Sequence, residues 1–132
     1  MPVLDAAVVV DALVTTGSIG DRSRAELRGL TELQLPAIFA AEVTSALRGL
    51  ELAGSLSPVR AVTALDQILT MKVISYPYEP FARRIWELRR NITVYDAWYV
   101  ALAERLGTEF VTADKRLAGS AGARCPVRFL HM

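Results

Sequence analysis

With 132 residues and 52% hydrophobic content, the chain is long enough to bury a core without disulfides, and its one cysteine excludes an internal disulfide framework. A formal net charge of +1 excludes nucleic-acid binding by bulk charge alone, so any such contact depends on where the 15 Lys and Arg residues sit. The longest apolar stretches, 6–10 and 97–103, fall far short of the roughly 20 residues of a membrane span, and no basic-then-apolar leader precedes Asp5; the expectation is one soluble, cytoplasmic domain over 1–132.

In chain order, Val3-Leu4-Asp5 reads as a strand running straight into a helix over 6–13. Residues 15–20 form a break, and Asp21 is expected to cap a polar helix to Leu30. A short strand at 32–35 follows, and Pro36 is expected to open a long helix over 37–53 that Gly54 ends. Ser57-Pro58 pairs a cap with a first-turn proline and starts a helix to Met71, then 72–76 is a β-rich strand stopped by Pro77. Helices at 80–90 and 94–106, a strand at 109–112, a helical turn from Asp114 and a strand at 126–130 complete the chain. Strands without polar/apolar alternation, interleaved with helices, predict an α/β fold: a mostly parallel sheet covered on both faces.

In such a sheet, ligands bind beyond the carboxyl ends of the strands. Asp5 and Asp114 follow strands at that rim, and Asp96 begins a helix that is apolar nearly all round. Glu42 lies on the shoulder of the apolar stripe Phe39, Val43, Ala46, Leu47 and Leu50, away from the polar face of Thr44, Ser45, Arg48 and Glu51. Each acid also has a structural explanation. Asp5, Asp96 and Asp114 stand at helix starts where carboxylates cap, Thr93 and Asp96 have capping-box spacing, and Glu42 suits a semi-exposed helix position.

Grouped carboxylates, however, repel and raise one another's pKa unless a cation neutralises them. With Cys125 and His131 alone there is no Cys/His zinc set, so any metal is held by oxygen, which suits magnesium or manganese. Such an ion activates water for phosphodiester hydrolysis. No serine has a His/Asp partner pattern, and Gly17-Ser18-Ile19-Gly20 lacks the Lys-Ser/Thr of a phosphate loop.

The runs Val3-Leu4-Asp5-Ala6-Ala7, Phe39-Ala40-Ala41-Glu42-Val43, Tyr95-Asp96-Ala97-Trp98-Tyr99-Val100-Ala101-Leu102-Ala103 and Val111-Thr112-Ala113-Asp114-Lys115-Arg116-Leu117 resemble, in order, the motifs of VapC toxins within the PIN-domain family. The resemblance implies a three-layer α/β/α sandwich, a magnesium- or manganese-dependent site, and endonucleolytic cleavage of RNA. It further implies a homodimer neutralised by a VapB-like antitoxin in a heterotetramer or larger assembly. Asp5, Glu42, Asp96 and Asp114 fall on the family's acidic positions, and Thr112 on the hydroxyl that supports the last of them. Ala7 departs from relatives that carry serine or asparagine there, and Asp11 matches no ligand and reads as a surface helix residue.

Lys115, Arg116 and some of Arg22, Arg24, Arg48, Arg89 and Arg90 are expected to meet RNA phosphates. Phe81, Ile85, Trp86 and Leu88 read either as core or, by resemblance, as a partner groove. Two other classes compete. A phospho-receiver shares the alternation, but 72–76 is followed by Pro77 where an acceptor aspartate is needed, and the last strand runs into His131-Met132 where a lysine is needed. A catalytically silent PIN-like binding protein would not need all four acids.

Overall fold

The computed structural model describes residues 1–131. Strand β1, Val3–Leu4, passes directly into helix α1, Ala6–Val14, because Asp5 takes an extended backbone and its Oδ1 accepts the Val8 N–H at 2.9 Å. Helix α2, Gly17–Leu27, begins earlier than expected, so the break shrinks to residues 15–16. Glycine is the reason. Gly17 has a φ of 79°, and a Cβ on Gly20 would stand 1.8 Å from the Thr15 carbonyl oxygen, so α2 can cross close to the end of α1. Asp21 is therefore not a cap. It lies inside α2 and pairs with Arg24 at 2.7 Å, while Arg24 Nη1 donates to the Ala12 and Thr15 carbonyls and closes the end of α1.

Strand β2, Leu33–Pro36, contains the proline expected to open a helix; α3 instead spans Phe39–Leu52. Pro36 stands opposite Tyr76 of β3, Val73–Tyr76, and the Ala37 N–H supplies the bond to the Tyr76 carbonyl at 2.9 Å, so the missing proline N–H costs the ladder nothing. Ser57 caps α4, Pro58–Thr70, as its Ser-Pro start predicts. The helix expected at 80–90 is a 3-10 turn, Glu79–Phe81, followed by a shorter α5, Ala82–Leu88. Helix α6, Val94–Leu106, ends at Gly107 in the left-handed region, and β4 (Phe110–Thr112), α7 (Lys115–Ala118) and β5 (Val127–Phe129) follow.

Every strand pairing among the described residues is parallel. The strands form two hydrogen-bonded sheets, β1-β4-β5 with β4 in the middle and β2-β3, and β2 packs beside β1. Helix α6 lies against β1, β2 and β4, while α1 contacts β4 and packs on α2, α3 and α4. Both residues of β1 and all of β4 are buried, as expected of central strands in a three-layer α/β/α sandwich. Residues 97–103 of α6 are buried without interruption, and Tyr99 stacks on Phe110 of β4 with ring centroids 5.5 Å apart. Phe81, Ile85 and Leu88 belong to this core, so the groove reading fails for them; Trp86 alone is 64% exposed, with the Arg89 guanidinium over its ring.

An ion pair fastens the far side. Arg84 donates from Nε and Nη2 to the two Glu104 oxygens at 2.7 and 2.9 Å and from Nη2 to the Gly122 carbonyl, and the Arg124 N–H donates to Glu104 Oε2. Burial pushes the Glu104 carboxyl up, but the Arg84 guanidinium and the Arg124 N–H outweigh it and leave it below the usual carboxylate range. A depressed carboxylate contributes stability above its unfolded pKa and loses it as pH falls through the folded value. Glu104→Gln is therefore expected to cost about 2 kcal/mol in urea unfolding at pH 7, with the difference from the parent protein shrinking below about pH 4.

Candidate functional site

The rim of the sheet where β1 and β4 end is organised by one buried hydroxyl. Asp5, 8% exposed, directs Oδ1 at the first turn of α1, while Oδ2 accepts from Thr112 Oγ1 and from the Ala113 N–H at 3.1 Å. Thr112, fully buried, also accepts the Asp114 N–H at 3.0 Å. That single oxygen thus fixes the first acid and starts the turn that places the last. Asp114 caps α7 by accepting the Arg116 N–H, and the Arg116 guanidinium folds back onto both of its oxygens at 3.2 and 3.3 Å.

Asp96 stands in the first turn of α6, where its N–H donates to Thr93 Oγ1 and its Oδ2 accepts from the same hydroxyl at 3.0 Å. The capping spacing read from the sequence is present, although Thr93 serves both bonds. Glu42 is half-buried in the first turn of α3, and its Oε1 accepts the Tyr99 hydroxyl at 2.7 Å. Beside it lies a depression lined by Ile38, Ala41, Glu42, Ser45 and Tyr95.

The charges of these side chains act on one another. Burial is the main reason that Asp5, Glu42 and Asp96 all sit above the ordinary carboxylate range, and repulsion adds to it. Asp96 acts on Asp5, both act on Glu42, and Asp114 acts on Asp96. Asp114 alone is held low, by the Arg116 guanidinium and N–H. The structure therefore gathers the four acids singled out in the sequence into one field. It does not close them: among the described residues, no three His, Cys, Asp or Glu side chains are grouped tightly enough to hold a metal ion as they stand.

The family model described as PIN domain matches residues 3–122. Ribonuclease VapC1 of Mycobacterium tuberculosis is 39% identical over 133 aligned positions, covering 98% of this chain and 97% of the relative. The chain belongs to the PIN-domain family, among its VapC members. VapC ribonuclease Mb0985 of Mycobacterium bovis is 37% identical, with 96% of each chain covered. Among solved structures, FitAcB from Neisseria gonorrhoeae matches the whole of both chains at a TM-score of 0.69 and 20% identity. The Mycobacterium tuberculosis VapC20, described as a sarcin-ricin loop cleaving toxin, matches 90% of this chain and 95% of its own at 0.63 and 12%, a likeness of fold.

Some partners in this candidate site were not visible in the sequence. Tyr99 reads there as one more apolar residue on a buried helix, and only its reach to Glu42 reveals otherwise. Arg116, expected to face substrate, is paired with Asp114, though its side chain is 91% exposed. Lys115 is exposed beside it, whereas Arg24 closes α1 instead of facing the rim. Asp11, part-buried at the end of α1, accepts the Thr15 hydroxyl at 2.7 Å. Thr112→Val keeps the shape of the side chain but leaves the Asp114 N–H without its acceptor and removes one of the three donors to Asp5. It is expected to lower stability by about 2 kcal/mol, read from denaturant midpoints at unchanged slope.

Proposed function

We propose that this protein is a VapC-type toxin, an endoribonuclease that hydrolyses RNA phosphodiester bonds with a divalent cation and is neutralised by a VapB-like antitoxin. The observation that supports the reading is the Thr112 hydroxyl that ties Asp5 to the Asp114 N–H at the rim, with Asp96 near enough to raise the carboxyls of Asp5 and Glu42. A cluster of that kind is costly unless a cation offsets it, and an all-carboxylate donor set suits magnesium or manganese. Asp5, Asp96 and Asp114 would hold the ion together with Glu42. When bound, it makes water a better nucleophile and offsets charge on the phosphodiester.

The chain's own residues have distinct tasks in this reading. Asp5 is held by Thr112, Val8 and Ala113 and sets the reference position of the site. Glu42 engages Tyr99 through Oε1, leaving Oε2 to orient the attacking water and accept its proton. Arg116 is paired with Asp114, and if Asp114 held the cation, the Arg116 guanidinium would be free to meet phosphate oxygens of the RNA together with Lys115.

The wider setting follows from the same reading. The relatives named VapC ribonucleases support the substrate class, and the antitoxin partner rests on the same membership among VapC proteins. We read residues 1–132 as a single PIN-like domain that forms a homodimer, and a heterotetramer or larger assembly with antitoxin, in the cytoplasm. No helix among the described residues is long and apolar enough to cross a membrane.

The experiment is incubation of the purified protein with total RNA, with and without magnesium, followed by mapping of new ends. Asp5→Asn and Asp96→Asn are each expected to abolish cleavage while remaining folded; full activity in both would sink the proposal. A carboxyl raised in the folded state stabilises the fold when protonated and loses that contribution as pH rises through its folded value. Asp96→Asn without metal is accordingly expected to melt at or above the parent's temperature at pH 7.

A further inference from the structure

We propose that Tyr99 is a positioning residue for the RNA-cleaving site, holding the Glu42 carboxylate in place through its hydroxyl; this rests on the nuclease reading above. Its ring is 1% exposed and stacks on Phe110 within an unbroken buried run of α6. Phenylalanine would fill that space equally well, so the hydroxyl needs a separate reason. A buried hydroxyl without a partner is unfavourable, and the partner of this one is Glu42, 57 positions away on α3, at 2.7 Å.

Glutamate is the most freely rotating of the four acids, and no Lys or Arg among the described residues forms a salt bridge with it. Asp5 and Asp114 cap the starts of their own helices, Asp5 being held by Thr112 as well, and Asp96 accepts from the hydroxyl of Thr93, the cap of α6. Glu42 is not a cap, so its rotamer has to be set from another element. Helix α6 does this. It carries Asp96 in its first turn and Tyr99 three residues later on the buried side, so one rigid helix places two of the acids relative to each other.

The test is a two-residue cycle with Tyr99→Phe, Glu42→Gln and the double variant. Manganese affinity is measured by calorimetry and melting temperature in metal-free buffer, alongside cleavage. Tyr99→Phe is expected to weaken manganese binding about tenfold or more while shifting the metal-free melting temperature by no more than about 4 °C. In the Glu42→Gln background, the same change is expected to weaken binding no further.

Unchanged affinity in Tyr99→Phe, or an equal loss in the Glu42→Gln background, would overturn the positioning role and leave the nuclease reading intact. A parent protein that binds no manganese would overturn both. Should Tyr99→Phe fail to fold, 3-fluorotyrosine labelling of the parent replaces it. One fluorine resonance is then expected to move both on magnesium addition and in Glu42→Gln, and no such common resonance would also overturn the inference.

Discussion

The Thr112 hydroxyl is the point on which the site depends. It donates to Asp5 at the end of β1, 107 positions away, and accepts from Asp114 beyond β4. Parallel pairing of β1 with β4 makes this possible, because both strands end at the same rim with Leu4 opposite Val111. Burial of the threonine makes the arrangement rigid, since either bond, if broken, would leave a polar group without water to replace its partner. The sheet therefore does more than support the acids. It sets the distance between the first and the last of them.

The same carboxylates that belong to the proposed chemistry also start helices. Asp5 caps α1, Asp114 caps α7, and Asp96 shares the Thr93 hydroxyl at the head of α6. Capping and ligation are compatible because a carboxylate has two oxygens and several lone pairs, and a cap uses only part of that capacity. Local folding thus orients side chains whose mutual repulsion would otherwise drive them apart. The stability given up by clustering charge is offset away from the rim by apolar burial along α6 and by the Arg84–Glu104 clamp, where opposite charges meet in good geometry.

Much of the fold was legible. The uninterrupted apolar run of α6 signalled a helix buried on all sides, the Ser-Pro and Asp starts signalled helix heads, and strands lacking alternation signalled a parallel sheet. Errors fell where long-range geometry overrides local preference. Pro36 favours a helix start by its own stereochemistry but ends a strand because Tyr76 lies opposite it. Asp21 looks like a cap, but the close crossing allowed by Gly20 starts α2 before it.

At the candidate site the residue types could be read from the chain: four acids, each marked by its place at a helix start or off a polar face, in an order resembling VapC toxins. Their partners emerge only in the packed fold. Thr112 lies 107 positions from Asp5 and Tyr99 lies 57 from Glu42, separations that carry no periodicity for a sequence to display. A local cap is written in neighbouring residues because its bonds span three positions, whereas a bond between two layers of the sandwich exists only once hydrophobic packing has set the layers against each other.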